Sequence, residues 1–127
     1  MVKYTIITNN PKVLSEYPGK AEFHDSPAED IFILCRNAVH KGAVLINHPL
    51  SGSIEPHINP YRSIVISDSR PEVDLLSVQL IESALSVCQK NTVKKGMIYS
   101  KSVHEDFQMI DLDLLNSAIN ALPSEYQ

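Results

Sequence analysis

Short β-branched runs alternate with amphipathic helical patterns along this chain, and that alternation constrains its fold more than any single motif. Tyr4-Thr5-Ile6-Ile7-Thr8 reads as a strand, and Asn9-Asn10-Pro11 ends it. Pro11 suits the first turn of a helix reaching Tyr17, with Asn10 as its cap. Pro18-Gly19 closes that helix, and Ala21-Glu22-Phe23-His24 follows as a weaker strand. Ser26-Pro27-Ala28-Glu29 combines a capping serine, a first-turn proline and a glutamate three positions on. The helix it opens carries Ile31, Leu34, Cys35 and Ala38 on one face, widened by Phe32 and Val39, and Gly42 ends it.

Ala43-Val44-Leu45-Ile46 is apolar throughout, as a strand buried on both faces would be. A long loop over 47–61 holds three of the eight prolines and shows no helical or strand pattern. Ser63-Ile64-Val65-Ile66-Ser67 is a fourth strand. Pro71-Glu72 opens a helix with Val73, Leu76, Leu80, Ala84 and Val87 at helical spacing. Residues 92–96 form a turn, and Met97-Ile98-Tyr99 a fifth, short strand. The last helix, 106–122, turns Phe107, Ile110, Leu114, Ala118 and Leu122 inward. The order predicts one α/β domain over 1–127: a three-layer α/β/α arrangement around a mainly parallel sheet of four to five strands.

The 127 residues fit one domain, and 43% hydrophobic residues supply a core. A net charge of −4, from 15 acidic against 11 basic residues, argues against a nucleic-acid partner. No apolar stretch approaches the roughly 18 residues of a membrane span. The start runs directly into a strand with no signal peptide, so the expected compartment is the cytoplasm. Cys35 and Cys88 fall inside helical apolar patterns and read as buried thiols, not as a disulfide framework or a zinc pair.

In open parallel sheets, ligands bind beyond the carboxyl ends of the strands. Those ends carry Asn9 and Asn10, His24 and Asp25, Asn47 and His48, and Asp68-Ser69-Arg70. The third loop is the richest: Ser51-Gly52-Ser53 joins a flexible glycine to two hydroxyls and to backbone N–H groups suited to an anion. It is not a phosphate-binding loop, which needs Gly-Lys-Ser/Thr before a helix. His48 stands where a general base could work, with a reference pKa near neutrality. His57 and the His24-Asp25 pair lack the close spacing of metal ligands, so neither a metal nor a cofactor is expected. Ser51 and Ser53 lack the Gly-x-Ser-x-Gly elbow. The carboxylates Glu29-Asp30, Glu105-Asp106 and Asp111-Asp113 sit on helices, where capping or a solvated face accounts for them.

Lys3-Tyr4-Thr5-Ile6-Ile7-Thr8-Asn9-Asn10-Pro11 resembles the start of the GrdX family. So does Ile46-Asn47-His48-Pro49-Leu50-Ser51-Gly52-Ser53, followed by Pro56, Asn59-Pro60-Tyr61 and Ser63-Ile64. The resemblance spans roughly the whole chain. It implies an accessory protein encoded beside glycine, sarcosine and betaine reductase genes of amino-acid-fermenting bacteria, and it implies no particular reaction. Asn9, Asn10, His48, Ser51, Gly52 and Ser53 carry over as motif positions without catalytic roles.

Three functions follow as expectations. The first is a binding protein that holds a small anionic ligand or a reductase subunit at Asn9, Asn10, Asn47, His48, Ser51, Gly52 and Ser53. The second is a small transferase or hydrolase with His48 as general acid/base. The third is a homodimeric scaffold built on the last helix, where Leu112 and Ile119 lie beside the main stripe.

Overall fold

Ile6 and Ile7 are adjacent in sequence and point to opposite faces of the sheet, so the strand carrying them must be covered on both sides. This strand, β1 (Tyr4–Thr8), is the centre of the sheet in the computed structural model, which describes residues 3–50, 59–90 and 98–126. β2 (Ala21–Phe23) pairs with it in parallel, with Ile6 opposite Ala21. β3 (Ser63–Ser67) pairs with it antiparallel on the other side, Tyr4 opposite Ser67 and Thr8 opposite Ser63. The order is β2-β1-β3. Two helices, α2 (Ala28–His40) and α3 (Leu75–Lys90), cover the face bearing Ile7, Ile64 and Ile66; Phe32, Cys35, Ile81 and Leu85 fill the space between. On the other face Ile6 and Val65 meet Val13 of α1 (Pro11–Glu16) and Leu112 and Leu115 of α4 (Lys101–Asn120).

A mainly parallel sheet of four to five strands is therefore not what forms: the described residues contain three strands in a mixed sheet. Parallel neighbours need a crossover, usually a helix. Residues 47–61 carry no helical pattern, so β3 returns antiparallel. Ala43-Val44-Leu45-Ile46 lies beside β3 but makes one isolated bridge, Leu45 with Ile66. Ile46 N donates to Val65 O and Ser67 N to Val44 O, each at 2.9 Å. Val44 N then bonds the Ser67 hydroxyl at 2.9 Å instead of a strand carbonyl, which stops the ladder. Ile98 and Tyr99 form no strand and lead into Ser100, whose Oγ caps α4 at Val103 N. Met97 and the 92–96 turn lie outside the described residues.

The helices also depart from their expected limits. Asn10 caps α1 as the sequence indicates, accepting from Lys12 N at 3.0 Å. Ser26 does not cap α2; Pro27 holds the cap position, and Ser26 O instead accepts from Asn9 Nδ2 at 2.9 Å. α3 begins at Leu75 rather than Pro71, because Asp74 accepts from Ser77 N (3.0 Å). Its buried stripe is Ser77, Ile81, Ala84, Leu85 and Cys88, which leaves Val73 and Leu76 exposed. α4 buries Asp111, Leu112 and Leu115, and Ile119 packs beside them, so Ile110 faces outward.

Ser77 ties α3 to the sheet edge. Its Oγ accepts from Leu45 N (3.0 Å) and donates to Asp74 Oδ2 (2.6 Å), closing an amide that an edge would otherwise expose. Ser77→Ala leaves a part-buried N–H without its partner, a loss of roughly 1–3 kcal/mol. Urea denaturation is expected to show this as a lower midpoint with an unchanged slope.

Candidate functional site

Because β3 runs antiparallel, its first residue lies beside the last residue of β1, and one end of the sheet gathers both asparagine-rich segments. Asn9 is buried. Its Nδ2 donates to Ser26 O and Pro60 O, each at 2.9 Å, and its Oδ1 accepts from Arg62 N at 2.9 Å. Asn10 is fully buried. Its N–H donates to Thr8 Oγ1 (3.0 Å), and its Nδ2 donates to Gln108 O (2.9 Å) and Asp111 Oδ2 (3.0 Å). Ser63 Oγ donates to the same Asp111 oxygen at 2.7 Å. With that proton spent, the 2.7 Å contact between Thr8 Oγ1 and Ser63 Oγ has Thr8 as donor. The result is a closed ring of hydrogen bonds through Asn10, Thr8, Ser63 and Asp111.

Arg62 and Asp111 put opposite charges into this interior, 4% exposed each. Burial raises the Asp111 carboxyl above the ordinary aspartate range, and the bonds from Asn10 and Ser63 and the Arg62 charge oppose the rise. Burial lowers the Arg62 guanidinium, against the attraction of Asp111. Asn59 is fully buried too, with its Oδ1 on Tyr61 N (2.9 Å) and its Nδ2 on Phe107 O (3.3 Å). Tyr61 Oη accepts from Gln108 Nε2 at 3.0 Å and meets His104 Nδ1 at 2.9 Å. These bonds lock residues 59–63 onto β1 and α4.

Asn47 reaches the same strand from the opposite side. Its Oδ1 accepts from Val65 N at 2.8 Å and its Nδ2 donates to Ser63 O at 3.4 Å, so its side chain stands in for backbone pairing. His48 follows, exposed, with Nδ1 accepting from Leu50 N at 3.1 Å. That is the one hydrogen bond of its ring among the described residues, and no carboxylate or hydroxyl among them orients it. Asn47 and His48 border an open cleft of about 410 Å³ whose walls are Ile46, Leu114, Ser117, Ala118, Ala121, Leu122 and Pro123.

The expected site residues thus separate. Asn9 and Asn10 spend their side chains inside the fold, Asn47 and His48 rim a cleft, and Ser51, Gly52, Ser53 and His57 lie outside the described residues. Asp68, Ser69 and Arg70 fall at the far end of the sheet, a consequence of the antiparallel β3. His24 is partly exposed and bonds Glu22 at 2.7 Å. Cys35 and Cys88 are buried; burial pushes the Cys88 thiol to about 11 and Cys35 further, so neither presents a thiolate. No metal-holding group of side chains occurs among the described residues, nor a helix long and apolar enough to cross a membrane. Asp111, Arg62 and Ser63 were not singled out by the sequence as working side chains. The readable signal was Asp111 at four-residue spacing from Leu115 and eight from Ile119, a carboxylate within an apolar stripe.

A family model described as GrdX-like protein matches residues 5–120. The chain belongs to the GrdX family. GrdX membership associates it with glycine reductase-type systems, and the buried ring and the Asn47–His48 segment both lie within the matched residues. No curated protein and no solved structure matches the chain.

Proposed function

We propose that this GrdX-family protein is an accessory binding protein that docks a protein component of a glycine reductase-type system at the Asn47–His48 end of the sheet. The observation that carries this reading is the division of labour among the motif residues. Asn9, Asn10, Asn59 and Ser63 are consumed in a buried brace, while Asn47 and His48 stand at the rim of an open cleft. Its walls are mostly apolar, and His48 is the one ionisable residue lining it among the described residues. A small free anion gains little from Ile46, Leu114 and Leu122, whereas an apolar side chain of a protein partner removes their surface from water. The anion-holding reading rests on Ser51, Gly52 and Ser53, which would supply backbone N–H groups next to His48. For the general acid/base reading, no carboxylate or hydroxyl among the described residues orients His48.

Titration calorimetry of purified reductase components against the chain tests the proposal. Binding is expected, and Ala118→Arg or His48→Ala should weaken it by about tenfold or more, a loss of about 1.4 kcal/mol. Binding indifferent to both changes, or none with any component, contradicts it. Glycine, betaine and acetyl phosphate are the small-molecule arm. A melting temperature that rises with the logarithm of their concentration favours the anion reading instead.

A further inference from the structure

We propose that the exposed start of α3 is the contact face of a two-fold dimer of this chain. Leu75 is 74% exposed, Leu76 62% and Val73 45%, three large apolar side chains within four residues. α3 completes its buried stripe without them, so the fold does not explain their presence. Contiguous apolar surface of this kind marks an interaction face. The occupant follows from the rest of the patch. Beside Leu75 is a cavity of about 430 Å³ lined by Val44, Arg70, Pro71, Glu72, Val73 and Asp74. One surface therefore carries a projecting leucine and a hollow next to it. It also carries both signs of charge, with Arg70 and Glu72 exposed at its edge.

An isologous interface requires that one patch complement itself. Here a two-fold axis seats Leu75 of each copy in the other's hollow and sets Arg70 of each against Glu72 of the other. Asp74 spends its Oδ2 on Ser77 N and Oγ, which leaves Glu72 as the freer carboxylate for that pairing. Arg70 is pre-positioned: its guanidinium donates to Tyr126 Oη at 3.1 Å, and Tyr126 is buried. The patch lies at the end of the sheet where β3 finishes, away from the end that holds Thr8 and Ser63.

Light scattering on the full chain after size exclusion, over a wide concentration range, tests this. The wild type is expected at twice the chain mass, and Leu75→Asp at the single-chain mass with an unchanged melting temperature. Arg70→Glu is expected to weaken association at least tenfold. The double change Arg70→Glu/Glu72→Arg is expected to restore it, although the Tyr126 bond remains broken, because both charge pairs are then re-formed. A single-chain mass for the wild type at every concentration overturns the proposal. So does a dimer that survives Leu75→Asp, which would place the interface elsewhere.

Discussion

Asn10→Ala is expected to lower stability by about 3–5 kcal/mol, adding a lost helix cap to a lost bond with a buried carboxylate. The change removes the acceptor of Lys12 N and the donor to Gln108 O, and it leaves Asp111 Oδ2 with Ser63 as its neutral donor. Water does not readily replace the lost bond to the carboxylate, since Asn10 is fully buried and Asp111 nearly so. Against a typical domain stability of 5–15 kcal/mol, the melting temperature should fall by roughly 10–20 °C. Asn47→Ala is the contrast. It loses one good bond and one long one at a partly exposed position, so about 1 kcal/mol is expected. Thermal and urea melts of the two variants side by side check the difference. Similar small losses in both would mean that the buried ring does not hold the fold together.

The ring also sets a pH dependence. The folded-state pKa of Asp111 is raised by burial. As pH climbs from the ordinary aspartate value of about 4 to that raised value, the unfolded chain releases a proton that the folded chain keeps. Stability from this group therefore declines with rising pH across that window and is level above it. Asp74 has the opposite sign: bonds from the Ser77 side chain and backbone lower its pKa, so its contribution is present above the ordinary value and is lost as pH falls through the folded one. Asp111→Asn should remove the first slope and leave the second. Urea melts of both proteins across the acid range measure it, and a slope that persists in Asp111→Asn assigns it to another group.

Gly42→Ala is the second large effect, about 3 kcal/mol or more. Gly42 has φ +109°, a conformation L side chains rarely adopt, and an added Cβ would lie 2.1 Å from Arg70 O. Neither atom can yield alone, because Gly42 O accepts from Arg70 N at 3.0 Å. The clash pushes the end of α2 away from the residues after β3 and loosens Val44 and Leu45 at the sheet edge. Gly19 is the internal control. It also has positive φ, +85°, but nothing lies within 4 Å of an added Cβ, so Gly19→Ala should lose only the conformational part, roughly 1 kcal/mol. Equal losses at the two positions would show that backbone conformation, and not the contact with Arg70, sets the requirement for glycine at 42.

The legible parts of this fold were those decided by local chemistry. The Tyr4–Thr8 strand, the Asn10 cap and the glycine after α2 follow from β-branching, a side-chain acceptor and a positive φ. Orientation was less legible, because it depends on pairing across 55 residues: Thr8 opposite Ser63 fixes β3 antiparallel. The α3 stripe was misplaced because Val73, Leu76 and Leu80 keep helical spacing as well as Ser77, Ile81 and Leu85 do, and tertiary packing chose the stripe that begins with a serine. Ser77 is buried for its bonds to Leu45 and Asp74, which no hydrophobic pattern reveals. At the candidate site, the asparagines were visible but their direction was not. Asn9 and Asn10 follow a strand end, which suggests ligands, yet Arg62 and Asp111 meet them from distant sequence and turn them inward.

The most direct test of the division between brace and cleft is amide NMR of the labelled chain during titration with the reductase component that binds it. The expected shifts fall on Asn47, His48, Leu114, Ser117, Ala118 and Ala121, while Asn9, Asn10 and Asp111 stay in place. Shifts centred on Asn9, Asn10 and Asp111, with the cleft residues unmoved, would contradict the assignment of binding to the Asn47–His48 cleft.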